Sequence, residues 1–151
     1  MTDALDAASL VEAANALLAV APLLGSATAQ EMAQALDWPV TRHRPERSIS
    51  LDPGYGIGPS GAYAGLDTSD RPRALLVDVS NPDHGGPEFR QDVFAAAAAT
   101  LAEALGPATD RRPGENPALW WRREPTVLRL VNSRDGVYLQ LDLIDRLEQE
   151  F

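Results

Sequence analysis

Residues 87–105 read PEFRQDVFAAAAATLAEAL, and this stretch decides the fold because it predicts a long helix with one apolar face. Pro87 suits the first position of a helix, and Gly106 followed by Pro107 favours its end. The apolar stripe repeats every four residues and consists of Phe89, Val93, Ala97, Leu101 and Leu105. The alanines at 95–99 allow a sheet to approach closely. We therefore expect this helix to pack its stripe against a β-sheet.

The residues after this helix predict a β-meander. A polar loop at 109–117 leads into expected strands at 118–123 and 126–131. A hairpin turn at 132–136 then leads into a return strand at 137–141. Apolar and polar side chains alternate in the return strand, which is typical of a strand with one buried face.

An acidic tail closes the sequence. We expect Asp142 to cap a short terminal helix, because an aspartate oxygen can accept the first free backbone N–H groups. The expected apolar stripe of this helix is Leu143, Leu147 and Phe151. The acidic residues that predict its solvated face are Asp142, Asp145, Glu148 and Glu150.

The sequence before the long helix predicts two other helices and three strands. Leucines at heptad spacing indicate a first helix from about Asp3 to Leu24. Thr28-Ala-Gln-Glu31 is a capping-box pattern that begins a second helix, and this helix is expected to end before Pro39. Strands are expected at 47–51, 62–66 and 74–79, with a glycine-rich loop at 52–61.

This order of elements predicts a single α+β domain over residues 1–151. Strands joined by short turns pair antiparallel, so we expect one twisted, mainly antiparallel sheet. The sheet should pack against the helix at 87–105 and the N-terminal helix, with a short terminal helix at the end of the chain.

The composition excludes several kinds of site. The chain has no cysteine and no lysine, so all 13 of its cationic side chains are arginine, and its histidines are His43 and His84. Disulfides and thiolate sites are thereby excluded. The two histidines lack a metal-ligand spacing, and we expect no metal and no cofactor. The formal charge of −9 disfavours nucleic acid and favours a basic protein partner.

The apolar run at 13–24 lacks the features of a signal peptide. Asp3, Asp6 and Glu12 precede it, and no arginine occurs before Arg42. The run is also too short to cross a bilayer. We expect a cytoplasmic protein with no membrane partner.

No arrangement of residues predicts catalysis. Residues 56–61 satisfy G-x-G-x-x-G, but an expected strand follows them instead of a helix, so we interpret them as a loop. Ser60, His84 and Asp78 are the residue types of a catalytic triad, but no G-x-S-x-G elbow is present. We expect a protein that is not an enzyme, and a small hydrolase built around His84 is the alternative from another class.

Thr28–Pro39 is similar to the positioning helix of a winged helix-turn-helix. The next segment, Val40–Arg47, would then be the recognition helix. Pro45 and the lack of an apolar face oppose this hypothesis.

Two adjacent tryptophans stand next to two arginines. Neighbouring residues of a strand point to opposite faces, so one of Trp120 and Trp121 is expected in the core. The other is covered by a helix, stacked on an arginine, or exposed to a partner. Loop residues such as Tyr55 and Ile57 have the apolar character that binding surfaces use. We predict a partner-binding surface that includes Tyr55, Ile57, Tyr63, Asp67, Asp70 and Trp120.

The order helix–strands–helix–strands–helix resembles the Tir-chaperone-like fold of secretion chaperones. The closing stretch LWWRREPTVLRLV at 119–131, with VYLQL at 137–141, is similar to small proteins of GC-rich bacteria. Some of these accompany secreted polymorphic toxins as immunity proteins. The resemblance implies a monomer or homodimer that binds a toxin and occludes its active site, and a secretion-chaperone-like partner protein is the alternative it also implies.

Overall fold

The computed structural model describes residues 3–57, 60–82 and 85–145. The helices are α1 (Ala7–Val20), α2 (Ala29–Leu36) and α3 (Pro87–Leu105), and a 3-10 turn at Ala21–Leu23 extends α1. The strands are β1 (Val40–Arg44), β2 (Ser48–Leu51), β3 (Ala62–Gly65), β4 (Ala74–Asp78), β5 (Asp110–Arg112), β6 (Ala118–Arg123), β7 (Thr126–Ser133) and β8 (Gly136–Leu143). The predicted α+β class is confirmed.

The eight strands form one sheet in the order β1-β2-β3-β4-β8-β7-β6-β5. Two four-stranded meanders, β1–β4 and β5–β8, meet where β4 pairs with β8. Each pairing of these strands is antiparallel. Between the meanders, α3 carries the chain from β4 at the centre of the sheet to β5 at its edge.

One face of the sheet holds the main hydrophobic core beneath α1 and α3. These two helices pack against each other and against β7 and β8. Fully buried core side chains include Leu17 of α1, Leu101 of α3, Leu128 and Leu130 of β7, and Leu139 and Leu141 of β8. The alternation in β8 therefore has the predicted direction, with Leu139 and Leu141 turned towards the helices.

The long helix has the predicted bounds. Pro87 stands in its first turn, and Gly106 follows Leu105 with a positive φ that a residue with a side chain rarely adopts. Of the predicted stripe, Ala97 and Leu101 are buried, while the remaining members are half-buried.

The N-terminal helix starts later than predicted, at Ala7. The Asp6 carboxylate caps it by accepting a hydrogen bond from the Ser9 backbone N–H at 2.8 Å. Upstream, the Leu5 N–H donates to the Val79 carbonyl at 2.8 Å, so this segment runs along the sheet instead of extending the helix. Within the described ranges, no helix combines the length and apolar character needed to cross a membrane.

The predicted capping box of α2 is confirmed. The Thr28 N–H donates to Glu31 Oε1 at 2.9 Å, and the Glu31 N–H donates to Thr28 Oγ1 at 3.3 Å. Asp37 ends the helix in a left-handed conformation, with φ of 58°. The chain then enters a strand, as the proline at position 39 favours.

Both edge strands lie where no separate strand was predicted. β1 occupies Val40–Arg44, and β5 occupies Asp110–Arg112 inside the stretch predicted as a polar loop. Their side chains are mostly exposed, so neither strand has the apolar alternation by which strands are recognised in a sequence. The helix-turn-helix hypothesis is wrong, because the segment that had to form the recognition helix begins with strand β1.

The predicted role of Asp142 is also wrong. This residue lies inside β8, where it pairs with Val127 of β7 and is fully buried. Because it is buried there, it contributes nothing to a solvated acidic face. Leu147, Glu148, Glu150 and Phe151 of the predicted terminal helix lie outside the described residues.

We expect Leu101→Ala to lower the free energy of unfolding by about 2–5 kcal/mol, because it opens a cavity under α3 in the centre of the core. Urea unfolding followed by circular dichroism measures the loss. Ala102→Ser, one position along on the exposed side of α3, is the matched control and should change stability by less than about 0.5 kcal/mol. Equal midpoints for Leu101→Ala and the parent would contradict the position of the core.

Candidate functional site

The second face of the sheet, which we call the open face, carries a row of paired side chains across the whole molecule. In the described part of the chain, the helices pack on the opposite face. Directly paired residues of antiparallel strands share a face, so the strand register identifies the members of the row. In sheet order they are Arg42, Ser50, Tyr63, Leu76, Gln140, Arg129, Trp120 and Asp110.

The β5–β8 half of this face is closed by its own side chains. A second apolar cluster of buried residues covers it, consisting of Ala118, Trp120, Val127, Val131 and Ile144, with Tyr138 packed against them. Trp120 keeps only 3% of its surface exposed. It therefore cannot serve as the exposed part of the predicted partner-binding surface.

Three arginines surround the Trp120 ring. The guanidinium carbons of Arg112, Arg122 and Arg129 lie 4.1, 5.6 and 5.9 Å from its centroid, within the range of cation–π attraction. For the tryptophan outside the main core, the sequence left three alternatives: covered by a helix, stacked on an arginine, or exposed to a partner. The structure shows Trp120 stacked on arginine. Trp121, on the other face, is buried in the main core and donates its indole N–H to the Gly106 carbonyl at 2.9 Å.

Carboxylates hold these arginines in place. Asp110 Oδ2 lies 2.9 Å from Arg122 Nη2 and 3.4 Å from Arg112 Nη2. The hydrogen bond from Arg122 is the main reason that the pKa of Asp110 lies below its ordinary value. Arg129 donates its Nε–H to the buried Asp142 Oδ2 at 3.0 Å, and its Nη2 lies 3.0 Å from the same oxygen. The cations of the closed half are thus neutralised within the chain.

The β1–β4 half of the open face has different chemistry. Tyr63 projects from β3 with 48% of its surface exposed. Arg42 and Arg44 project on the same face from β1, and Leu76 is the cross-strand neighbour of Tyr63 on β4. Arg73 Nη2 lies 3.9 Å from the position that a Cβ on Gly65 would take, so its guanidinium lies beside β3. We call Arg42, Arg44, Tyr63, Arg73 and Leu76 the tyrosine–arginine surface.

This surface contains a shallow pocket and unpaired cations. The pocket has a volume of about 190 Å³ and is lined by Tyr63, Gly65, Arg73, Ala74, Leu76 and Gln140. Within residues 3–57, 60–82 and 85–145, Arg42, Arg44 and Arg73 form no ion pair. Arginine side chains without a carboxylate partner can form paired hydrogen bonds to an incoming anion.

The predicted loop residues Tyr55 and Ile57 lie elsewhere. Ile57 is 2% exposed, so the prediction that it forms an apolar loop tip is wrong. The half-buried Tyr55 packs against the main core and donates its hydroxyl to Glu12 Oε1 at 3.2 Å. Burial raises its pKa to about 12. The loop composition indicated flexibility, but Tyr55 packs against the helical layer and Ile57 is buried.

Asp67 and Asp70 stabilise turns. Asp67 Oδ1 accepts hydrogen bonds from the backbone N–H groups of Ser69 and Arg71 at 2.8 and 3.0 Å. Asp70 Oδ1 accepts one from the Glu46 N–H at 2.9 Å, and this bond is the largest cause of the lowered pKa of Asp70. Asp70 Oδ2 also lies 3.0 Å from His43 Nε2. These carboxylates are already engaged within the chain.

The structure assembles no catalytic group among the residues it describes. His84 lies outside them, and Ser60 Oγ shares a hydrogen bond with Thr41 Oγ1 at 2.8 Å. Asp78 stands half-buried at the end of β4, and burial raises its pKa to about 6. The described ranges also contain no cluster of three or more histidine and acidic side chains that could hold a metal ion.

The sequence did not reveal the grouping of the three arginines. Arg42 and Arg44 alternate on one strand, which is the signal that was available. Arg73 joins them through the pairing of β3 with β2 and β4, and that register follows only from the fold.

Comparison with known proteins gives a family and a fold. A family model described as "Family of unknown function (DUF6301)" matches residues 8–143. Among solved structures, the chain is similar to a DUF4309 family protein (YjgB) from Bacillus subtilis subsp. subtilis str. 168, with a TM-score of 0.52 and 13% sequence identity, over 90% of this chain and 97% of that chain. At this identity the likeness concerns the fold alone. No curated protein matches the sequence.

We expect Asp78→Asn to flatten the pH dependence of stability between about pH 4 and pH 6. The folded pKa is raised, so the folded state keeps a proton that the unfolded chain releases, and stability falls as pH rises through this window. Above pH 6 the variant should be more stable than the parent, on the order of 1 kcal/mol after allowance for solvent screening. Urea unfolding at pH 4 and pH 7.5 measures the difference. A gap of the same size at both pH values would contradict the assignment.

We expect Arg129→Leu to lower the free energy of unfolding by about 3 kcal/mol, because it removes the Arg129 guanidinium from the buried Asp142 carboxylate. The double variant Arg129→Leu/Asp142→Leu should recover most of this loss. Arg134→Leu, in the exposed turn between β7 and β8, is the control and should have little effect. Additive losses in the double variant would show that the pair does not act as a unit.

Proposed function

Because the chain belongs to the DUF6301 family, whose function is unknown, we propose a function from its geometry: a non-catalytic protein-binding module that docks its partner on the open face. The observation that carries the proposal is the tyrosine–arginine surface. Tyrosine and arginine are enriched among the residues that dominate binding energy at protein interfaces. Here they stand together on a rigid sheet, with Tyr63 half exposed to solvent.

The tyrosine–arginine surface is smaller than one side of a standard protein interface. Four strands spaced by about 4.8 Å, each about 15 Å long, give a flat area of roughly 300 Å². A standard interface buries about 800 Å² on each partner. We therefore propose that the tyrosine–arginine surface forms the centre of the contact. The turns at 45–47 and 66–73 lie at one end of it and extend the contact as a rim, which brings Asp67 and Asp70 to the border.

We propose that the partner is a secreted toxin or effector and that the chain acts as an immunity protein, by occluding the toxin's active site in the cytoplasm. The similarity of residues 119–131 and 137–141 to small proteins of GC-rich bacteria, some of which accompany toxins as immunity proteins, supports this class of partner. The net charge of −9 supports a partner that is basic overall, because opposite net charges speed association.

The proposal is tested by co-expressing the chain with secreted proteins encoded beside its gene. We expect one of them to be toxic alone, and the chain to restore growth and to co-purify with it in equal amounts. Tyr63→Ala should weaken the complex roughly tenfold or more, because it removes an exposed aromatic side chain from the centre of the interface. Gln91→Ala, on the exposed side of α3, is the control and should leave affinity unchanged.

Three results would contradict the proposal. Failure of every neighbouring secreted protein to bind would remove the immunity function. A dimer that carries an effector without neutralising it would favour the chaperone-like alternative. Turnover of esters or phosphodiesters that His84→Ala abolishes, in a folded protein, would favour the hydrolase.

A further inference from the structure

We infer that the tyrosine–arginine surface recognises an acidic, extended segment of the partner, in which carboxylates flank an apolar side chain. This inference rests on the proposed protein-binding function and identifies the chemistry of the contact. The charge of the surface is opposite to that of the whole chain. Acidic residues outnumber arginines by 22 to 13 in the sequence, yet this surface presents three arginines.

The closed half provides a comparison for Arg42, Arg44 and Arg73, because its arginines have carboxylate partners. Both halves of the open face combine an aromatic ring with three arginines. In the closed half, Asp110 and Asp142 neutralise the arginines at 2.9 to 3.4 Å. In the open half, no carboxylate of a described residue lies within ion-pair distance of Arg42, Arg44 or Arg73. The carboxylates are thus supplied within the chain in the closed half, and a partner's carboxylates would supply them in the open half.

The spacing of the arginines points to an extended segment. Arg42 and Arg44 are two residues apart on a strand, so their Cα atoms are separated by about 6.6 Å. Side chains at alternate positions of an extended segment have the same separation, and two carboxylates placed in this way would each meet one guanidinium. Arginine suits this role better than lysine because its planar fork forms two parallel hydrogen bonds with a carboxylate.

The pocket beside Tyr63 would take the apolar side chain. Its volume of about 190 Å³ suits a side chain of the size of leucine or valine, and Tyr63 and Leu76 form its apolar walls. Arg73 at the same pocket places a cation beside the apolar contact. A segment with carboxylates at alternate positions, and an aliphatic residue at another position of the same alternating series, presents these side chains on one face and would satisfy both the charges and the pocket.

The segment would lie across the face instead of adding to the edge of the sheet. Pro39 and Pro45 flank β1, and a register irregularity separates Val40 from Arg42. Both features discourage the pairing of a further strand with an edge. Nucleic acid is disfavoured by the net charge of −9, which repels a phosphate backbone beyond the immediate surface.

A synthetic peptide tests this inference without the natural partner. It has glutamate at alternate positions and a central leucine in the same alternating series, so that these side chains share one face of the extended peptide. We expect it to shift the backbone amide resonances of β1–β4 and to leave those of α1 and α3 unchanged. Arg42→Glu/Arg44→Glu should weaken binding roughly tenfold or more, and raising the salt from about 0.05 M to about 0.5 M should also weaken it. Arg134→Glu, a charge reversal in the exposed β7–β8 turn, is the matched control and should bind as the parent does. Circular dichroism melting confirms that each variant is folded.

Four results would overturn the inference. The first is equal or tighter binding of the same peptide with lysine in place of glutamate. The second is equal binding of single-stranded DNA, which would assign the surface to phosphate. The third is a set of shifts on the helical layer. The fourth is a dimer in sedimentation that Arg42→Glu/Arg44→Glu dissociates, which would make a second copy of the chain the occupant.

The two proposals fail in different ways. If a neighbouring toxin co-purifies and the arginine reversal changes neither its affinity nor that of the peptide, the inference is wrong and the binding function stands. If the peptide binds as described and no encoded neighbour does, the chemistry of the surface stands and the immunity function is wrong.

Discussion

The pairing of β4 with β8 is the constraint on which the rest of the structure depends. It joins the two four-stranded meanders in one sheet, while α3 carries the chain from one meander to the other. Leu75 faces Leu141 and Val77 faces Leu139 across this pair, and all four side chains are fully buried. Beyond the end of β4, the Val137 N–H donates to the buried Ser80 Oγ at 2.8 Å, which continues the connection to β8. Burial of these side chains stabilises the core beneath α1 and α3 and holds the two meanders in one sheet.

Because the meanders share one sheet, their outer faces form one surface with two chemistries. In the closed half, the carboxylates form ion pairs with the arginines, and Trp120 is buried beneath these arginines. The open half keeps Tyr63 exposed, with Arg42 and Arg44 on the same face two strands away. A closed half and an open half in the same sheet suit a surface that binds a partner without rearrangement, since ordering costs reduce affinity. The proposed function follows from this asymmetry.

The sequence predicted elements whose signals are local. Pro87 and Gly106 bounded α3, the Thr28 pattern began α2, and alternation identified β8. The edge strands β1 and β5 were missed because their exposed side chains do not alternate between apolar and polar. Such local signals carry no information about where a strand lies within a sheet.

The site could be predicted only in part, because it depends on contacts between distant residues. Tyr63 was predicted as a binding residue, and it lies exposed on the sheet. Ile57 was predicted to be exposed because composition does not distinguish a buried loop residue from an exposed one. Asp142 was predicted to be exposed because composition does not show that an arginine on the next strand pairs with it. Arg73 was missed because only the register brings it next to β3.

Photo-crosslinking in cells tests most directly whether the open face is the binding face. A photoreactive amino acid replaces Tyr63 in one version of the protein and Gln91 in another, so that the two reporters stand on opposite faces of the fold. The account predicts a crosslink from position 63 to one partner protein and none from position 91. A crosslink from position 91 with none from position 63 would place the partner on the helical layer and contradict the account.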